Sequence, residues 1–332
     1  GKLFDDGHAS RVLPGFLPDS KLRMLESIKD KAEIIITINA NDIENNKIRG
    51  DNDISYDTES IRLKQAFEQK GFLVNSIVIT QFTHQDKAIK FEKYLDNLSI
   101  KHYRTYNING YPNDIDHILS EEGFGKNDYV ETTRPLVVVT GPGPGSGKMA
   151  TCLSQMYLDH ERGQRSSYAK FETFPIWNLG LMHPINMAYE AATANLNDIN
   201  MIDPYHLEAY GTLAVNYNRD VEAFSVLKRM LEKIMGQAPY KSPTDMGVNM
   251  VGFCIVDEEA AIEASKEEII RRYYNALVDY RFAKESYSSI EKIQTLMSNL
   301  DIKAEDREVA IAAREKKQST GKESFAIQMN DG

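Results

Sequence analysis

One stretch constrains the fold of this chain more than any other. A β-branched run, Leu136-Val-Val-Val-Thr140, passes directly into Gly141-Pro-Gly-Pro-Gly-Ser-Gly-Lys148. An apolar set follows at Met149, Cys152, Leu153, Met156 and Tyr157. The run reads as a buried strand over residues 135–140. The set has the i, i+3, i+4, i+7, i+8 spacing of a helix laid on a sheet. This helix is expected over residues 149–162, with Gly163 as its stop. A strand that turns sharply into a helix is the building unit of an α/β sheet.

The residues upstream keep the same rhythm. Residues 34–39 (Ile, Ile, Ile, Thr, Ile, Asn) read as a buried strand, and residues 57–69 as a helix with Ile61, Leu63 and Phe67 on one side. A second strand is expected over 75–82, a second helix over 87–98 and a third strand over 101–106. Strand and helix alternating in this way predict an α/β fold. The sheet is expected to be parallel, Rossmann- or P-loop-like, with helices on both faces. Residues 111–134 are polar and read as a long connection.

From residue 181 the pattern turns mostly helical. His183-Pro184 starts one helix with Ile185, Ala188 and Ala192 on a face. Asp220 reads as the N-cap of a helix running to Gly236. Ser242-Pro-Thr-Asp245 has capping-box form and predicts another helix start. Asp257 is expected to cap a long helix over 258–280, and two charged helices follow near 286–300 and 304–317. The expected organisation is an α/β phosphate-loop domain at 1–180, a mostly helical domain at 181–318, and the start of a truncated further domain at 319–332. That last expectation rests on two features: strand-like alternation at 325–329, and Asn330-Asp-Gly332, hairpin chemistry with no returning strand. The absence of an initiator Met at Gly1 points the same way.

Composition narrows the functional classes. The 332 residues carry 39 basic and 49 acidic side chains, a net charge of -10, which argues against a broad nucleic-acid surface. No apolar run is long enough to span a bilayer, so no membrane role is expected. Two cysteines, Cys152 and Cys254, provide no disulfide framework, and a cytoplasmic location is the expectation. Both cysteines read as core residues.

The loop at 141–148 carries the sharpest chemistry. A phosphate needs backbone N–H groups turned inward and no side chains in the way, which glycines allow. The helix N-terminus adds aligned donors and a positive dipole end. Gly141, Gly143, Gly145, Ser146, Gly147, Lys148 and Thr151 are therefore the expected nucleotide-binding residues, with Lys148 reaching a β- or γ-phosphate. The spacing departs from a standard P-loop. Pro142 stands where the first glycine belongs, and Met149 stands where a Ser or Thr would hold Mg²⁺. The alternative reading is a rigid strand-to-helix turn that binds nothing.

The run Gly141-Pro-Gly-Pro-Gly-Ser-Gly-Lys-Met-Ala-Thr-Cys-Leu-Ser-Gln155 resembles the bacterial domain of unknown function 1846 family. So do Tyr168-Ala-Lys-Phe-Glu-Thr-Phe-Pro-Ile-Trp-Asn-Leu179, Ala188-Tyr-Glu-Ala-Ala-Thr-Ala194, Asn200-Met-Ile-Asp-Pro204, Asn216-Tyr-Asn-Arg-Asp220 and Ser242-Pro-Thr-Asp-Met-Gly-Val-Asn249. The similarity spans nearly the whole chain, and it implies members longer at both ends. It transfers no reaction. Some members have been labelled ATP-dependent peptidases, yet this chain has no His-Glu-x-x-His and no Gly-x-Ser-x-Gly.

Other polar groups complete the candidate list. Glu172 follows the strand after the loop, beside Lys170 and Thr173, and is expected to hold a metal or activate a nucleophile. Arg219, among Asn216, Asn218 and Asp220, is the candidate second phosphate clamp. The expected catalytic set is therefore Lys148, Glu172 and Arg219, and no metal ligand set is assigned. Asp203, His206 and Glu208 read either as a metal fragment or as an N-cap with a nearby His. Phe253-Cys-Ile-Val-Asp257 reads either as a strand ending in an Mg²⁺-holding Asp or as a helix cap. Two hypotheses follow. One is an ATP- or GTP-dependent phosphotransferase or ligase using Mg²⁺. The other is a non-catalytic sensor of a nucleotide or other phosphorylated small molecule that changes its homo-oligomeric state. A structural protein with no ligand at the loop is the third reading.

Overall fold

The computed structural model describes residues 7–14, 19–49, 53–249 and 251–327. Its centre is a four-stranded parallel sheet in the order β3-β2-β1-β4. The strands are β1 (Ala32–Asn39), β2 (Leu73–Phe82), β3 (His102–Tyr106) and β4 (Leu136–Thr140). In β1 the residues Ile34, Ile36 and Ile38 face one core, while Ile35 faces the other with Val78 and Val130. A strand apolar on both sides is stable only between two covering layers.

Helices supply those layers. Preceding β1 are α1 (Gly7–Val12) and α2 (Ser20–Glu26), and after it come α3 (Ala40–Glu44) and α4 (Tyr56–Gln69). The β2–β3 crossover is α5 (Asp86–Asn97). Leu22, Ile43, Leu63, Phe67, Phe91 and Leu95 from these helices pack against the Ile34 face. The connection to β4 holds α6 (Ile115–Ile118), and α7 (Lys148–Glu161) follows β4. This second layer is fastened by polar hooks. The Gln155 amide donates to the Val130 carbonyl and accepts from its N–H, and Asn127 donates to Ser154.

The rest of the chain is mostly helical, with short strand pairs. It runs β5 (Lys170–Phe171), α8 (Pro184–Ala192), β6 (Asn200–Ile202), α9 (Pro204–Tyr210), β7 (Val215–Tyr217) and α10 (Asn218–Met235). Then come β8 (Gly247–Val248), α11 (Glu258–Arg281), α12 (Tyr287–Asn299) and α13 (Glu308–Thr320). β5 pairs with β8, and β6 with β7. α10 packs on α7 through Leu153, Met156, Leu227, Met230 and Leu231. α1 joins α8, α11 and α12 in a separate core. Residues 322–327 form no regular element, and the remainder of the tail expected to start a strand lies outside the described residues.

Four local expectations are corrected. β4 is half-buried rather than buried, because only β1 pairs with it among the described residues. Asp220 is not the N-cap of α10: Tyr217 holds that place, and the Asp220 carboxylate is taken by Lys170. The Ser242 motif starts no helix. Its hydroxyl accepts from the Asp245 N–H, but the backbone then pairs with β5. Cys254 is exposed, because the apolar run around it lies on the surface.

Candidate functional site

The strand order reverses at β1. The chain leaves β1 toward β2 on one side and returns with β4 on the other, so the carboxyl ends of β1 and β4 flank a switch-point crevice. Open α/β sheets take their ligands at this place. The loop at 141–147 lies there.

The loop is fixed by the strand ends beneath it. Thr37 of β1 donates to the Thr140 carbonyl at 3.1 Å and to the Ser146 hydroxyl at 3.3 Å. Asn39 donates to the Gly145 carbonyl at 3.1 Å, and Thr80 of β2 to the Ser146 carbonyl at 3.1 Å. Gly145 and Gly147 hold φ of +76° and +85°, which disfavours any side chain. At Gly147 a Cβ would also lie 2.6 Å from the Thr80 hydroxyl, and at Gly143 it would strike the hydroxyl end of Tyr56.

Lys148 opens α7. Its ammonium folds back over the loop, donating to the Gly143 carbonyl at 2.8 Å and to Ser146 Oγ at 3.0 Å. The first turn of α7 carries no acidic residue, and its cap is Gly147, which has no side chain to satisfy the helix N–H groups. A cation and helix-end donors thus meet at one mouth. A second cation is close by: Lys47 lies 4.9 Å over the Tyr56 ring and pairs with Asp42 at 3.2 Å.

The hydroxyl chemistry differs from a standard Mg²⁺ site. Ser146 is fully buried and already bonded to Thr37 and Lys148. Met149 packs in the α7–α10 core. Thr151 is buried, and its hydroxyl has no hydrogen-bond partner among the described residues.

Glu172 and Arg219 belong to a second polar centre. The Lys170 ammonium bonds Glu172 at 2.8 Å, Asp220 Oδ1 at 2.5 Å and the Tyr217 hydroxyl. Burial alone would lower the lysine, but the two carboxylates hold it well above its ordinary value. Burial would raise Glu172, yet Lys170 keeps it below the usual range. At Asp220 burial wins over Lys170, and the carboxyl is raised. Arg219 is gripped bidentately by the buried Asp198, at 2.6 and 2.7 Å. Tyr168, just before β5, packs with α7 and α10 in one core, which ties this centre to the helix that follows the loop.

The other groups are structural. Asp203 caps α9 and also accepts from Thr244 at 2.6 Å. His206 bonds Ser242 at 2.9 Å. Asp257 caps α11, while Val256 beside it is 90% exposed, which removes the buried strand an Mg²⁺-holding Asp would need. Among the described residues no group of three or more His, Cys, Asp or Glu is placed to hold a metal. Sequence reasoning missed Thr37, Asn39, Tyr56 and Thr80. Their one sequence signal is position, at the carboxyl ends of β1 and β2 or the start of the following helix.

Comparison with known proteins gives a family and names no chemistry. The family profile described as "Domain of unknown function DUF1846, N-terminal" matches residues 1–301. Proteins named UPF0371 protein are similar over all 332 residues. They include those of Streptococcus sanguinis (strain SK36) at 58% identity, Streptococcus equi subsp. zooepidemicus (strain MGCS10565) at 57% and Streptococcus pneumoniae (strain CGSP14) at 56%. The chain spans 67% of the length of each of these three relatives. The chain belongs to the DUF1846 family of bacterial proteins.

Proposed function

We propose that this chain binds a nucleotide or another phosphorylated small molecule at the glycine loop. One observation carries the reading: Lys148 and the uncapped start of α7 converge on a glycine loop at the switch point of a parallel sheet. Binding in the cytoplasm, without Mg²⁺-dependent hydrolysis of the standard kind, fits best. Met149 fills the metal-binding hydroxyl position, and Ser146 is committed to Thr37 and Lys148. The chain then acts as a sensor, and ATP and GTP are the first ligands to test.

A second reading, a phosphotransferase or ligase, is favoured by the Lys170 centre. Asp220 is raised and Glu172 lowered on the same lysine, so the two carboxyl groups are set apart in acidity. In this reading Lys148 neutralises phosphate charge, Glu172 positions substrate or Mg²⁺, and Arg219 must leave Asp198 to act.

The test is thermal unfolding with ATP, GTP, ADP and phosphate, with and without Mg²⁺, followed by a turnover assay. A ligand at a hundred times its Kd stabilises by about 2.7 kcal/mol. The binding reading expects a shift that Lys148→Ala abolishes. Turnover lost in Glu172→Gln while the shift persists selects the enzyme reading. No shift with any ligand overturns both.

A further inference from the structure

The carboxyl end of β2 is built around an extra residue. Ile79 pairs with Arg104 and Phe82 with Tyr106, so β2 has Thr80 and Gln81 where β3 has Thr105 alone. Bulges of this kind are rare between parallel strands, and they re-aim a side chain next to a site. The packing shows the effect. Ile77 and Ile79 face the core under α4 and α5, and strict alternation would send residue 81 there next. Phe82 enters that core instead, and Gln81 is exposed.

The shift carries backbone strain. Gln81 holds φ of +53°, and His84, three residues on, holds +65°. Glycine takes this backbone without strain, yet β2 carries a glutamine there. Strain held in a folded chain gathers at ligand sites.

Gln81 is also joined to the glycine loop. Its side-chain carbonyl accepts from the Asn39 amide at 3.2 Å, and the same amide donates to the Gly145 carbonyl at 3.1 Å. Thr80, beside it, donates to the Ser146 carbonyl at 3.1 Å. The Gln85 amide donates to Asn41 at 2.9 Å and to the Gln81 backbone carbonyl at 3.1 Å. Asn39, Asn41, Gln81 and Gln85 thus form a carboxamide border on the β2 side of the loop. A carboxamide is neutral and both donates and accepts, which suits the hydroxyl groups of a sugar better than the charge of a phosphate.

We propose that the Gln81 amide binds a sugar hydroxyl of a ligand whose phosphate lies in the glycine loop. The ligand class is then a phosphorylated sugar, either free or as the ribose of a nucleotide. This inference rests on phosphate binding at the loop and adds what the phosphate is attached to.

Matched calorimetric titrations of the 332-residue chain test it. Inorganic triphosphate is compared with ATP, and inorganic phosphate with ribose 5-phosphate. The variants are Gln81→Gly, which fits the left-handed backbone, and Gln81→Asn, which tolerates it and shortens the reach. Circular dichroism shows that both are folded. The wild type is expected to bind at least one sugar-bearing ligand about tenfold tighter than its inorganic partner. In both variants that advantage falls to about twofold or less, while affinity for the inorganic partner is kept. A gain confined to ATP assigns a nucleotide, and a gain with ribose 5-phosphate a free sugar phosphate. Equal losses for inorganic and sugar-bearing ligands overturn the proposal, since Gln81 then only holds the loop. An advantage that persists in Gln81→Gly, or none in the wild type, overturns it and leaves the phosphate site standing. Binding of none of the four ligands removes the phosphate site itself and this inference with it.

Discussion

The glycines at the two ends of α7 answer to different constraints. Gly163 and Gly147 both have positive φ, but only Gly147 is crowded. Gly163→Ala is expected to cost about 1–2 kcal/mol, the price of a left-handed backbone for a side chain. Gly147→Ala adds the clash with Thr80 and is expected to cost on the order of 3 kcal/mol. Urea unfolding of the two variants checks the difference, and Thr80→Ala should recover part of the Gly147→Ala loss. Equal losses would mean that the loop does not rest on β2. The cysteines separate in the same way. Burial pushes the Cys152 thiol up to about 12, while Cys254 is exposed. A thiol reagent at pH 8 should modify Cys254 rapidly and leave Cys152 intact in the native chain. Rapid labelling of Cys254→Ser would contradict this packing.

Among the elements, α11 holds a fully buried carboxylate. Glu268 is fully buried and is bonded by Arg271 at 2.6 Å, Arg272 at 2.8 Å and Arg11 of α1 at 2.7 Å. Burial alone would raise this carboxyl, but the hydrogen bonds from Arg271 and the charges of Arg272 and Arg271 hold it well below its usual value of 4.5. A carboxyl lowered by folding stabilises the folded state fully above its unfolded value. That contribution is lost as pH falls through the lowered folded value. Glu268→Ala should therefore cost about 3–5 kcal/mol at pH 7, with the gap to wild type narrowing below pH about 4. Urea midpoints across pH measure this, and a gap that widened on acidification would contradict it.

The same scale shows what the sequence made legible. The strands and helices around the sheet carry their own periodicity. β1, α4, β2, α5 and α7 fall within a few residues of the ranges that apolar spacing predicts. Motifs whose meaning depends on distant partners were not legible. Ser242 completes its local hydrogen bond to Asp245, yet β8 pairs with β5 more than seventy residues away in sequence. Asp220 has cap chemistry, but Lys170 across the fold takes its carboxylate. The loop at 141–148 was visible in sequence because glycine and lysine spacing is local. Its anchors Thr37, Asn39 and Thr80 were not, because only strand order brings them under it.

At the scale of the whole molecule, α7 and α10 share the core that links the residues after the sheet to the helix following the glycine loop. The helix that starts at the loop is thus also the one on which α10 packs. No helix among the described residues is long and apolar enough to cross a membrane. The anion site proposed at the mouth of the loop can be titrated directly. The most direct measurement is calorimetric titration of pyrophosphate and ATP into the wild-type chain and into Lys148→Ala, with circular dichroism to show that both are folded. Saturable binding to the wild type is expected, weakened at least about tenfold in Lys148→Ala, which corresponds to about 1.4 kcal/mol. Equal binding by both chains, or none by a folded wild type, would contradict it and leave the loop as a turn packed on Thr37 and Thr80.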